Sequence, residues 1–263
     1  MAKEVLLQSE KNGTPSSSLK RGTFIIARKE YEEIDSTNRV AKELAVKGAA
    51  EGTLVLAKRQ SGGKGRLGRS FFSPEGGIYM SMVLHPEVSA DRALLITTCA
   101  AVAVARAIER VCDVTAGIKW VNDIFVNGKK VCGILAEAGL NPDSAFPEYV
   151  VLGIGINVKK QSVPEDLKDI VGCLEDSGRT VLKEDLISFV WEEFGELYRN
   201  LSTAVHMEEY KERSVLLGKE VTVYAPDGDY RATVTDIDRE GHLIISRAGR
   251  REELSFGEIS VRL

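Results

Sequence analysis

A chain of 263 residues, 43% hydrophobic and 28% charged, has the make-up of a soluble globular protein with room for one large domain, or for one large and one small. Its net charge of −4 excludes a general polyanion binder, and neither a signal peptide nor an apolar run long enough to span a bilayer can be recognised. The four cysteines form no C-x-x-C pair and the three histidines are scattered, which argues against a zinc site and for a reducing cytoplasm.

Residues 1–22 are polar after the first few positions and read as a mobile tail. Order is expected to begin at Thr23, with strand-like apolar positions at Phe24-Ile25-Ile26, Tyr31 and Ile34. Val40, Ala41, Leu44 and Ala45 then recur at helical spacing up to Gly48, a C-cap. Asp35 or Ser36 therefore stands where an N-cap belongs, and Ser36-Thr37-Asn38 gather polar side chains at a helix start, where free backbone N–H groups point outward. One cap residue is enough to start a helix, so the remaining polar residues suggest a second role in binding a small polar ligand.

Thr53–Arg59 reads as a buried strand that delivers Gln60 and a glycine-rich loop, and Ile78–Leu84 as the next strand. Residues 92–111 are Ala-rich and apolar on most sides, the pattern of a helix buried against a sheet. Asn127-Gly128 marks a tight hairpin joining Ile124–Val126 to a strand starting at Lys130. After Lys130 that strand is almost wholly apolar, and a cation entering it calls for an anion, unless its tip simply reaches water. Tyr149–Val158 is a further buried strand in which Gly153 and Gly155 share one face and leave space there, with Asn157 expected on the same face. Helices are predicted over 181–198, with Leu182, Leu186, Phe189, Val190 and Phe194 as the apolar face, and over 203–214. From Lys219 the texture changes to short strands at close spacing, a small antiparallel barrel.

The loop Gln60–Arg69 packs four glycines and three cations into a long excursion between neighbouring strands. It is neither a P-loop nor a dinucleotide fingerprint, because the required Gly-Lys-Ser/Thr and following helix are missing. Its residue types suit a phosphate or carboxylate ligand.

Taken in order, these pieces resemble the biotin protein ligases, biotin–[acetyl-CoA-carboxylase] ligases. The family pattern stands here as Ser36-Thr37-Asn38, then Gly63-Lys64-Gly65-Arg66-Leu67-Gly68-Arg69 with Ser73-Pro74. Lys119-Trp120-Val121-Asn122-Asp123, Lys130-Val131-Cys132-Gly133-Ile134-Leu135, Gly153-Ile154-Gly155-Ile156-Asn157 and the C-terminal strands follow. Departures are Lys64 for an Arg, Val121 for a Pro and Phe71 for a Trp. The resemblance covers about residues 23–263 and points to the ligase-only class, without the DNA-binding domain of the repressor-ligases.

The resemblance implies an α+β fold, a mixed sheet flanked by helices of the class II aminoacyl-tRNA-synthetase and biotin-ligase kind over 23–215, with an SH3-like barrel over 216–263. It implies biotin and ATP as substrates, Mg²⁺, transfer to a biotin carboxyl carrier domain, a homodimer, and no DNA or membrane partner. Ser36, Thr37, Asn38 and Gln60 would meet the biotin head group, with Gly133, Leu135, Gly153 and Gly155 shaping its slot. Lys64, Gly65 and Arg66 would close over the carboxylate, and Lys130 and Arg66 would be catalytic. Arg66, Arg69, Phe71, Asn122, Lys130 and Asn157 would serve the nucleotide. Asp123 would neighbour the metal or act as a structural acceptor. The loop is expected to be mobile when empty. A lipoate ligase, a catalytically dead biotin binder and an unrelated α+β protein remain the alternatives.

Overall fold

In the computed structural model the described residues are 3–5, 24–89, 92, 94–140, 143–225, 228–255 and 260–262. The N-terminal tail expected over 1–22 otherwise lies outside them. Among the described residues thirteen strands make two sheets. In chain order the first sheet comprises β1 (Lys3–Val5), β2 (Ala27–Ile34), β3 (Thr53–Gln60), β4 (Ile78–Leu84), β5 (Gly117–Lys119), β6 (Asp123–Val126), β7 (Lys129–Leu140) and β8 (Pro147–Ile156). Its order is β1-β2-β3-β4-β8-β7-β6-β5, antiparallel except where β2 runs parallel to β3. Asn127 and Gly128 both have positive φ, 51° and 77°, as the tight β6–β7 hairpin requires.

Alternate residues of each strand serve different faces. Leu54 and Leu56 of β3, Met80 and Met82 of β4, and Leu152 and Ile154 of β8 join the core around α2 (Leu94–Cys112). Val55, Val83 and Val151 pack instead with Val40 and Ala41 of α1 (Thr37–Val46). The short side chains of Ala100, Ala101, Ala103, Ala105 and Ala107, all fully buried, let α2 sit deep beneath α3 (Lys183–Tyr198) and α4 (His206–Glu212). An ion-paired cluster of Arg106, Arg213, Glu109, Glu193 and Glu209 ties these helices together.

The helices depart from expectation at their starts. Leu182 caps α3 and is 62% exposed, so it is not part of the apolar face. A 3₁₀ turn over Leu201–Thr203 and a left-handed Ala204 delay α4 to His206. Phe24 lies ahead of β2 and packs edge-on against Phe194 and Tyr198, giving it a core role without a strand.

The second sheet is fully antiparallel, in the order β12 (Arg250–Leu254), β11 (Leu243–Arg247), β10 (Tyr230–Ile237), β9 (Glu220–Tyr224), β13 (Ser260–Arg262), which fits the small SH3-like unit. Besides a shared apolar core, hydrogen bonds tie the first sheet to the connecting segment and to the second sheet. Ile118 of β5 accepts from Val215 N and donates to Arg213 O in the connecting segment. The Trp120 indole N–H donates to Gly241 O at 2.9 Å. Gly241 has φ +87°, and a Cβ there would press on Leu94 at 3.2 Å, so its turn is wedged between Trp120 and α2.

Candidate active site

The α1 face of the sheet is only half covered by α1, and its open half forms the floor of a cleft. Register sets that floor in two rows, Ser81–Gly153–Leu135 and Tyr79–Gly155–Gly133, across β4, β8 and β7. The glycines make room for two side chains. A Cβ on Gly153 would lie 2.0 Å from Asn38 Oδ1, and one on Gly155 would lie 2.5 Å from the Phe71 ring. The space inferred from the alternating glycines is thus filled by Asn38 at one row and Phe71 at the other.

The polar end of the cleft is the start of α1. Ser36 has extended backbone and its hydroxyl accepts from Arg39 N at 3.4 Å, which makes it the N-cap. Ser36, Thr37 and Asn38 are all buried. Gln60, delivered by the end of β3, accepts from Thr37 N at 2.8 Å and lies 3.0 Å from the Thr37 hydroxyl, while its amide donates to Ser73 Oγ at 2.9 Å. Asn38 donates to Glu137 Oε2 at 2.7 Å, and Ser81 Oγ stands 2.7 Å from Thr37 Oγ1 and 2.6 Å from Asn38 Oδ1.

The charged end comes from the glycine-rich loop and the β6–β7 hairpin. The loop is closed at its base by Gly62 N to Asp35 O and Phe71 N to Gly63 O, and across its tip by Gly65 N to Arg69 O. These bonds fold the loop as a hairpin. Only glycine fits at Gly63, where a Cβ would meet Phe71 O at 2.4 Å. Arg66 reaches back to Asn122 Oδ1 at 3.5 Å, and burial pushes its guanidinium pKa down. Asn122 itself donates to Ile134 O at 2.7 Å. Lys130 Nζ lies 2.6 Å from Asp123 Oδ1 and 5.8 Å from the Phe71 ring centroid. The anion that a lysine entering this strand calls for is therefore Asp123, with both side chains about a quarter exposed.

These groups enclose a cavity of about 180 Å³. Lys64, Arg66, Arg69, Lys119 and Lys130 line it, and Asp123 is the one carboxylate among its described lining residues. Gly65, Gly133 and Leu135 also line it. Asn157 does not. It falls beyond the end of β8, donates to Gly172 O at 3.2 Å, and lines a neighbouring cavity of about 440 Å³ that shares Ser70, Phe71 and Lys130 with the first. Phe71 and Lys130 are the partition between the two.

Sequence reasoning misses Ser81 and Glu137, and quotes Ser73, Lys119 and Trp120 within motifs without giving them a role; Ser73, Ser81 and Glu137 stand behind the triplet and Gln60, and Lys119 and Trp120 stand in the wall. Ser81 leaves one faint mark, the one small polar side chain in the run of β4. Chemically, the cleft offers a polar head pocket at one end and a cluster of cations at the other, with no Ser-His-Asp or Cys-His set among its described lining residues. All four cysteines are buried, and burial raises their thiol pKa values. That arrangement suits bringing two anionic groups of bound substrates together more than it suits nucleophilic attack by a side chain.

Residues 31–157 match the family described as biotin/lipoate A/B protein ligase, and residues 216–262 match the biotin protein ligase C-terminal domain. The bifunctional ligase/repressor BirA of Bacillus spizizenii is 37% identical over 222 residues, covering 81% of this chain and 67% of that protein. The biotin–[acetyl-CoA-carboxylase] ligase of Paracoccus denitrificans is 29% identical over 235 residues, covering 86% of this chain and 96% of that protein. Among solved structures, the biotin protein ligase of Aquifex aeolicus in complex with biotin and ATP superposes with a TM-score of 0.77 at 28% identity, covering 89% of this chain and 98% of that one. The cleft, the order of its elements and these likenesses lead to one conclusion: the chain belongs to the biotin/lipoate A/B protein ligase family.

Proposed function

We propose that this protein is an ATP-dependent biotin protein ligase that makes biotinyl-5′-AMP and passes the biotinyl group to a lysine of a biotin carboxyl carrier domain. The observation that carries the reading is the single cleft that unites the Ser36-Thr37-Asn38 and Gln60 pocket with Lys64, Arg66, Arg69, Lys119 and Lys130. In the first step a biotin carboxylate oxygen bonds to the α-phosphorus of ATP, and the bond to the β-phosphate bridging oxygen breaks to release pyrophosphate. In the second, the deprotonated carrier amine bonds to the acyl carbon and AMP leaves. Neither step needs a protein nucleophile. Both need screening of like charges and alignment, which are the contributions of a low-dielectric site rich in fixed cations.

In this reading Thr37, Asn38 and Gln60 take the biotin head group, and Gly133, Leu135, Gly153 and Gly155 shape its slot. Lys130 exchanges its contact with Asp123 for the biotin carboxylate and α-phosphate. Arg66 and Lys64 cover that junction. The second cavity, with Phe71 on one side and Asn157 on another, takes the nucleotide base. Magnesium fits as an ion that arrives with ATP, since Mg²⁺ is commonly held by one or two carboxylates plus substrate phosphates and waters. Asp123 supplies one such carboxylate. The described His, Cys and acidic side chains that come within metal-binding distance as a trio, Asp238 and His242 in the β10–β11 turn and Glu253 on β12, lie outside the cleft lining.

We place the protein's work in the cytoplasm, on a carboxylase carrier. The Paracoccus biotin–[acetyl-CoA-carboxylase] ligase, matched over 96% of its length, supports that carrier. No helix among the described residues is long and apolar enough to cross a membrane. A homodimer is proposed through the outer edge of β1, since β5 at the other end is bonded to the 213–215 segment. Light scattering would give its mass.

The deciding experiment incubates the protein with magnesium, ATP labelled in its α-phosphate, and either biotin or lipoate. A labelled acyl-adenylate with biotin alone is expected. Adenylate with lipoate alone would move the protein to the lipoate branch of the family, and saturable biotin binding without adenylate would make it a binder.

A further inference from the structure

Proton counting behind the head-group pocket gives a result that the lining residues alone do not. Thr37 N donates to Gln60 Oε1, and the Gln60 amide donates to Ser73 Oγ, whose own hydrogen goes to Phe71 O at 2.8 Å. These contacts fix Gln60 with its oxygen toward Thr37. Asn38 is fixed equally, because its N–H₂ must face the Glu137 carboxylate at 2.7 Å and Leu135 O at 3.4 Å, which leaves Oδ1 toward Ser81. Four oxygens then form a chain of three close contacts: Gln60 Oε1 to Thr37 Oγ1 at 3.0 Å, Thr37 Oγ1 to Ser81 Oγ at 2.7 Å, and Ser81 Oγ to Asn38 Oδ1 at 2.6 Å. Only the Thr37 and Ser81 hydroxyls carry hydrogens, so three contacts share two hydrogens.

Asn38 Oδ1 can only accept, and it is buried beside the fully buried Ser81, so Ser81 donates there. The shorter contact of Thr37 is the one to Ser81, and the Thr37 hydrogen turns that way. Thr37 Oγ1 and Gln60 Oε1 are then left facing each other as acceptors, an arrangement that a donor from a ligand relieves. We infer that Ser81, backed by Glu137, is a positioning residue that sets Thr37 and Gln60 as acceptors, so that the head pocket selects ligands presenting ring N–H donors. Ser81 lies one layer beneath the cleft and touches Thr37 and Asn38 from the sheet. Its place in the register, directly across from Gly153, is what lets Asn38 lie flat between it and Glu137. The inference rests on the ligase reading and gives it a determinant of substrate choice.

The test measures biotin-dependent ATP–pyrophosphate exchange by the wild type, Ser81→Ala and Ser81→Cys, with biotin and with biotin methylated on its ureido nitrogens, alongside thermal melts. Ser81→Ala is expected to raise KM for biotin at least ~10-fold. KM for ATP and the rate of transfer from preformed biotinyl-5′-AMP should stay within about 2-fold, the signature of lost ground-state selection. Ser81→Cys should fall between, and the preference for biotin over its methylated analogue should narrow in the same order. A folded Ser81→Ala with wild-type KM for biotin, or one losing biotin and ATP equally, would overturn the inference. If Ser81→Ala does not fold, wild-type behaviour of Ser81→Cys overturns it alone. A wild-type protein without biotin-dependent exchange would instead sink the ligase reading.

Discussion

The two faces of the eight-stranded sheet are built from the same strands and do opposite work. Toward α2, residues such as Met80, Met82, Leu152 and Ile154 are closed off from water and carry no polar side-chain group. Toward α1, the intervening residues Ser81, Gly153 and Gly155 sit under Asn38 and Phe71 and leave a cleft beside five cations. Stability is concentrated on one face and chemistry on the other, a single residue apart along each strand. The division explains how a site lined with lysine, arginine and glycine can be held still: its floor is the back of a fully packed core.

That division can be broken at chosen points. The largest effect is expected at Lys130. Lys130→Ala should slow biotin adenylation about 1000-fold, in the range for loss of a charge-stabilising group, with a normal melt. A variant that unfolds would show that Lys130 serves the strand and not the cleft. Next come two neighbours on β8. Leu152→Ala should cost about 2–5 kcal/mol in denaturant titration and leave KM for biotin alone. Gly153→Ala should do the reverse, because its new methyl would displace Asn38. Equal effects of the two on biotin would abolish the distinction between the faces. The smallest effect concerns pH. His206, 1% exposed and bonded to Thr98, has its pKa pushed down by burial to about 4. The unfolded chain, titrating near ~6.5, binds the proton more readily, so this stabilisation is complete above that value. It declines as pH falls toward 4, by up to about 3 kcal/mol. His206→Gln should flatten that part of the stability profile, and an unchanged slope would assign it to other groups.

Much of this is legible in the chain. The Asn127-Gly128 turn, the Ser36 cap and the alternating glycines of β8 are local signals, and each appears in place. Apart from Asn157, every residue that the sequence motifs nominate for the site lines one cavity, because the motifs sit on a helix start, a loop and neighbouring strands whose positions the pattern reveals. What local pattern does not carry is pairing. Ser81 gains its meaning only opposite Gly153, Glu137 only beside Asn38, and Asp123 only across a hairpin from Lys130. Counting in twos puts Asn157 on the glycine face, but the strand stops one residue earlier and the side chain turns to the second cavity. The delayed start of α4 follows from a left-handed Ala204, a backbone choice that alanine does not advertise.

The contacts of β5 and Trp120 also set a timetable. A chain emerging from the ribosome has presented every lysine, arginine and glycine of the cleft well before the second sheet exists. Yet Ile118 is held by Arg213 and Val215, and the Trp120 indole by Gly241, all of which arrive much later. The segment carrying Asn122 and Asp123, already paired with β7 through Ile134 and Gly133, therefore receives its last anchors late in synthesis. A nascent or truncated chain would own the cleft's cations and the strands that set its register, but not the late contacts that brace β5 and Trp120. The bracing of one wall is completed by late-made residues that stand apart from the cleft lining.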